Sequence, residues 1–143
     1  MVNRWIKDKE YAADEVLPAL VESVQYWQTI LRLQDWNIIL KLVRRHDMGV
    51  QGAIGCSDYA IDHKDCFIEL CAPEDLYTYH ARFAGEETDY EITLVHELLH
   101  LHFAPFMADE TKDAHSNTYQ ELAINTLARS LVHLDRKGAL TPE

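Results

Sequence analysis

Two histidines and a glutamate fall within five consecutive residues, His96-Glu97-Leu98-Leu99-His100. On a helix, a separation of four is about one turn, so both imidazoles project from one face. Two neutral imidazole nitrogens held together can fill two of the tetrahedral positions of a zinc ion. Glu97 lies on the adjoining edge of that face, too far round to ligate easily. It is well placed to take a proton from a metal-bound water. Zinc brings the pKa of such a water toward roughly 7. The same carboxylate can then hand the proton to a leaving amine. The chemistry implied is metal-assisted hydrolysis.

The pattern has only three fixed positions, and a helix with two surface histidines would also satisfy it. Its surroundings favour the metal. Val95, Leu98 and Leu99 are apolar, which places the helix in the interior, and burying two histidines side by side without a shared partner is costly. A third protein ligand is then required. Glu121 lies 21 positions beyond His100. Asn125 is one turn further along the same helix and offers an amide to orient a ligating histidine from behind. His115, 15 positions beyond His100, is the rival, and Asp113 a more remote one. Each has a plainer explanation: Glu121 as capping partner of Thr118, His115 as a polar residue at a helix entrance. With Glu121 as ligand, His115 and Tyr119 become candidate donors to a tetrahedral oxyanion. His46, His63, His80 and His133 have no partner at ligand spacing, and His102, two from His100, points elsewhere.

The elements that must position these residues are legible in the periodicity. Val16, Leu17, Leu20, Val21, Val24, Trp27, Ile30 and Leu31 recur at helical spacing from Asp14 to Leu33. From Trp36 to Val43 the period changes to two, a strand. Val50 to Asp58, with Gly49, Gly52 and Gly55 in or beside it, predicts a second strand with bends or bulges. Cys66 to Cys71 predicts a third, with Cys66, Ile68 and Leu70 on one face. Residues 75–87 suggest a short helix and then a loop at Gly85. Thr88 and Glu91 have capping-box spacing at the start of the helix that carries the histidines. Ile92, Val95, Leu98, Leu99 and Phe103 form its stripe, and Pro105 marks its stop. After a polar connection, a last helix runs from about His115 to Asp135. Leu122, Ala123, Leu127, Leu131 and Leu134 are expected inward and Gly138 as terminator. The fold class expected is α+β over residues 1–143 as a single domain. It comprises an N-terminal helix, a small mixed sheet of about three strands, an active-site helix and a C-terminal helix.

Composition narrows the partners. A chain of 143 residues with net charge −11 and pI near 5.0 lacks the Lys/Arg patches that phosphates require, so no nucleic-acid partner is expected. Arg44-Arg45 is the densest basic cluster and suits a solvated turn. No stretch is long and apolar enough to span a bilayer, and residues 1–11 lack the apolar core of a signal peptide. Cys56, Cys66 and Cys71 form no Cys-x-x-Cys pair. They fit reduced, packed thiols in a cytoplasmic protein.

Taken with Glu121-x-x-x-Asn125, the His96–His100 motif resembles the gluzincin branch of the zincin metallopeptidases, specifically its minimal single-domain members. The segments 94–103 (LVHELLHLHF) and 123–128 (AINTLA) are similar to small phage- and prophage-encoded metallopeptidases. The resemblance is specific over residues 92 to 132 and architectural before that. It implies Zn2+ held by His96, His100 and Glu121, Glu97 as general base, Asn125 behind a histidine, and a peptide or protein substrate. The SprT-like group is the rival branch. It places a third histidine at the spacing of His115, and Asp35-Trp36-Asn37-Ile38 is similar to that group as well. His115 lacks its flanking glycines, however, and the chain is acidic. In zincins the substrate pairs with an edge strand of the sheet, for which Cys66–Cys71 is the candidate. Two further functions compete: a non-hydrolytic zinc-binding regulatory or interaction module, and hydrolysis of an isopeptide or cell-wall amide.

Overall fold

The computed structural model describes residues 11–49, 54–76, 89–107 and 114–140. Helix α1 (Ala13–Ile30) leads into strand β1 (Asn37–Val43). A 3-10 turn (Arg45–Asp47), β2 (Gly55–Ala60) and β3 (Asp65–Cys71) follow, then α2 (Tyr90–Met107) and α3 (Ala114–Arg136). Residues 73–76 add a helical turn. The fold is α+β, with a three-stranded mixed sheet of order β1-β3-β2.

Strand β3 is central. It pairs parallel with β1, Ile38 opposite Cys66 and Leu42 opposite Leu70, and antiparallel with β2, Ser57 opposite Ile68. This corrects the expectation that Cys66–Cys71 is an edge. Cys66, Ile68, Leu70 and Cys71 are all fully buried, as befits a strand flanked on both sides. Among the described residues β2 has a single strand neighbour and is the edge nearer α2. The described part of the second predicted strand begins later than expected; residues 50–53 lie outside the described residues.

One core joins the layers. Val16, Leu20, Val24 and Trp27 of α1 and the inner face of β3 close on Leu94, Val95, Leu98 and Leu101 of α2, with Ile124, Ala128 and Val132 of α3. Apolar burial of this kind is the main favourable term in folding. In α1, Leu17 and Val21 lie on the outer flank of the predicted stripe and are exposed. A larger correction concerns α3. Leu122, Leu127 and Leu134, expected inward, are exposed, and so is Ala123; the buried face is Ile124, Ala128 and Val132, with Leu131 half-buried. The three exposed leucines form an apolar arc of their own, so counting apolar side chains picked the wrong arc. Ile124, Ala128 and Val132, at i, i+4 and i+8, are the row that enters the core.

The helix ends follow local chemistry. Both backbone N–H groups of Glu91 and Ile92 donate to Asp89 Oδ1, at 3.0 and 3.2 Å, so Asp89 caps α2. Thr88 of the predicted capping box lies outside the described residues. The Glu91 carboxylate is instead taken up by Trp27 Nε1 at 3.2 Å and by Arg136. Helix α2 continues past Pro105 to Met107, because a proline near a C-terminus removes one hydrogen bond and leaves the final half-turn free to continue. Helix α3 ends as expected: Gly138 has φ +76°, its N–H donates to Asp135, and that of Ala139 donates to Leu134. This is the glycine-terminated Schellman arrangement. No helix among the described residues is long and apolar enough to cross a membrane.

Candidate metal centre

Helix α2 carries His96, Glu97 and His100 in its second and third turns, backed by the fully buried Leu94, Val95 and Leu98. Helix α3 crosses it and brings Glu121 against the two imidazoles. His96 Nε2 lies 3.1 Å from Glu121 Oε2, His100 Nε2 lies 3.0 Å from Glu121 Oε1, and the two Nε2 atoms are 3.2 Å apart. Three donors on a tetrahedral ion at zinc–nitrogen and zinc–oxygen distances would be about 3.3 Å from one another. The three atoms therefore stand nearly as the face of such a tetrahedron. Among the described residues this is the one group of three or more such side chains able to share an ion.

The charges agree with that use. Burial pushes His100 down, Glu121 opposes the shift and His96 adds to it, which favours the neutral, ligating imidazole. Glu121 is half-exposed, so the carboxylate reaches the histidines from the solvent side.

Glu97 sits differently. It is 5% exposed, with one carboxylate oxygen 4.0 Å from His96 Nε2, beside the cluster and outside it. Burial pushes its pKa up to about 7; the Ser57 hydroxyl on β2 draws it back by donating to it, and the negative Glu121 raises it further. A carboxylate in this range both accepts and returns a proton near neutral pH.

The edge strand reaches the site through Gly55. A Cβ there would come within 2.8 Å of Thr93 Cγ2, 2.9 Å of Leu70 Cδ2 and 3.5 Å of Glu97 Cγ. Only a bare α-carbon allows β2 to lie this close to α2. Glycine in a strand signals such an approach, and the sequence carried that signal as a bend. Ser57 and Gln120, whose Nε2 is 3.4 Å from His100 Nδ1, had no comparable signal, since each meets the site only through the tertiary fold.

The remaining candidates separate. Asn125 is exposed and makes no hydrogen bond to either histidine, so the expected buttress is not at that position. Tyr119 is 67% exposed. Two residues before Glu121 on one helix, it projects away from the site, which removes it as an oxyanion donor. His115 lies in the first turn of α3, with its side chain outside what is described; Asp113 lies wholly outside the described residues. Thr118 is within the helix and no N-cap. His102 bonds the Leu31 carbonyl at 2.7 Å, away from the cluster. The thiols of Cys66 and Cys71 are buried and their pKa values pushed up, to about 12 and about 11, and all three cysteines are free. Compared with protein-family models, curated proteins and solved structures, the chain matches none.

Proposed function

We propose that the protein is a zinc-dependent peptidase in which His96, His100 and Glu121 hold the metal and Glu97 is the general base. One observation carries the reading: a buried carboxylate, raised toward neutrality, stands beside a ready set of two imidazoles and a carboxylate. A purely structural metal site has no use for that fourth group. The His2Glu donor set suits zinc and, with three protein ligands, leaves one position open.

Zinc held there supplies Lewis acidity toward the scissile carbonyl and toward water. The residues of the chain do the rest. Glu97 accepts the proton of the attacking water and passes it to the leaving nitrogen. Ser57 holds the Glu97 carboxylate from the β2 side. Strand β2, the edge beside the site, offers its backbone to an extended substrate by strand addition. The acidic chain, at net charge −11, favours approach of neutral or basic peptides over phosphate-bearing partners.

Metal analysis tests the ligand set. The parent and His115→Ala are expected to hold one zinc per chain, and Glu121→Ala to lose it. Retention by Glu121→Ala with loss in His115→Ala would move the protein to the three-histidine arrangement. Stoichiometric zinc with no cleavage across a peptide library would leave a binding module.

A further inference from the structure

Resting on the zinc reading above, we propose that Gln120 is the positioning residue that fixes the ring of His100 for ligation. Both histidines turn Nε2 toward Glu121, so Nε2 is the ligating atom and Nδ1 must carry the ring proton. A metal-bound histidine normally donates that proton to a neighbouring acceptor, which fixes the ring's tautomer and its orientation. The group facing His100 Nδ1 is the Gln120 side-chain amide, 3.4 Å away and half-buried. The nitrogen and oxygen of a glutamine amide exchange places by a half-turn about the last torsion. In the zinc-bound form the oxygen faces the ring and accepts from Nδ1–H.

The placement has a consequence particular to this chain. The position one turn beyond Glu121, where sequence spacing puts an orienting amide, is occupied by Asn125 and is exposed. Gln120 and Glu121 are adjacent, so one turn of α3 delivers both the anionic ligand and the group that orients its histidine neighbour. Adjacent residues on a helix diverge by about 100°. Gln120 can therefore reach the far side of the His100 ring while Glu121 meets Nε2.

The test is the zinc dissociation constant of the full chain, measured by competition with a chromophoric chelator. Gln120→Ala is expected to weaken zinc binding about 10- to 100-fold, the usual cost of losing such a partner. Gln120→Glu, which restores an acceptor, is expected to bind at least as tightly as the parent, and Asn125→Ala to bind unchanged. In the zinc form, the 15N signal of His100 Nδ1 should show a bonded proton in the parent that exchanges faster in Gln120→Ala. Gln120→Ala within twofold of the parent would overturn the proposal, as would the loss appearing in Asn125→Ala instead. A parent that binds no zinc would overturn the zinc reading itself, a result distinct from either.

Discussion

Glu97 shows how one residue is made costly to the fold and useful to the site. A folded-state pKa of about 7 against an unfolded carboxylate near 4.3 means that the native protein holds this proton more tightly than the unfolded chain. The contribution is favourable at low pH, falls as pH rises through the interval between the two values, and is fully unfavourable above about 7. Glu97→Gln removes that slope. In metal-free protein the variant is expected to match the parent near pH 4, below the unfolded value, and to exceed it at pH 8 by about 3 kcal/mol. Urea unfolding at the two pH values checks this; equal differences at both would show that Glu97 ionises normally. The five-residue motif in the sequence announced this glutamate. Its burial was not announced, because that depends on Gly55, Thr93 and β2 closing over it.

At the scale of elements, the contact between β2 and α2 sets the distance from the edge strand to Glu97. Gly55→Ala places a methyl group 2.8 Å from Thr93 Cγ2, and overpacking of this sort costs about 1–3 kcal/mol. The variant is expected to keep its zinc and lose stability and turnover together. Thr93→Ser removes the methyl group that is struck and keeps the hydroxyl bonded to the Asp89 carbonyl. The double variant should recover part of both losses; no recovery would mean that Leu70 alone carries the strain. The helices α1 and α2 and the strands were legible because periodicity reports burial directly. The face of α3 was not, since Leu122, Leu127 and Leu134 form an apolar arc that the core does not use. The order of the strands was also hidden. Only the parallel β1–β3 pairing makes Cys66–Cys71 central, and a parallel pairing leaves no turn signal in the sequence. Glu121 was legible by its spacing from His100, whereas Gln120, its immediate neighbour, carried no motif.

The whole molecule is tied by a buried polar clamp that joins both ends of the chain to the start of the motif helix. Glu91, fully buried, accepts from Trp27 Nε1 of α1 and from Arg136 of α3, and the same guanidinium holds Asp89 at 2.7 and 3.0 Å. Three helices meet on two carboxylates at the start of α2, and Tyr26 donates to Asp135 beside them. Removing one partner of a buried pair leaves a charge uncompensated, at about 3–5 kcal/mol. Arg136→Met is expected to lower the unfolding free energy by that order, measured by urea denaturation. A change below about 1 kcal/mol would show that solvent reaches Glu91. Arg136 ties α3 to the start of the helix that carries His96 and His100, so loss of the clamp is expected also to weaken zinc binding. Peptide cleavage with Glu97→Gln at full zinc occupancy distinguishes a hydrolytic centre between the clamped helices from a passive metal site. Zinc retained at one per chain with cleavage reduced by at least about 100-fold is the result expected of a lost general base. Cleavage equal to the parent at the same occupancy would contradict it.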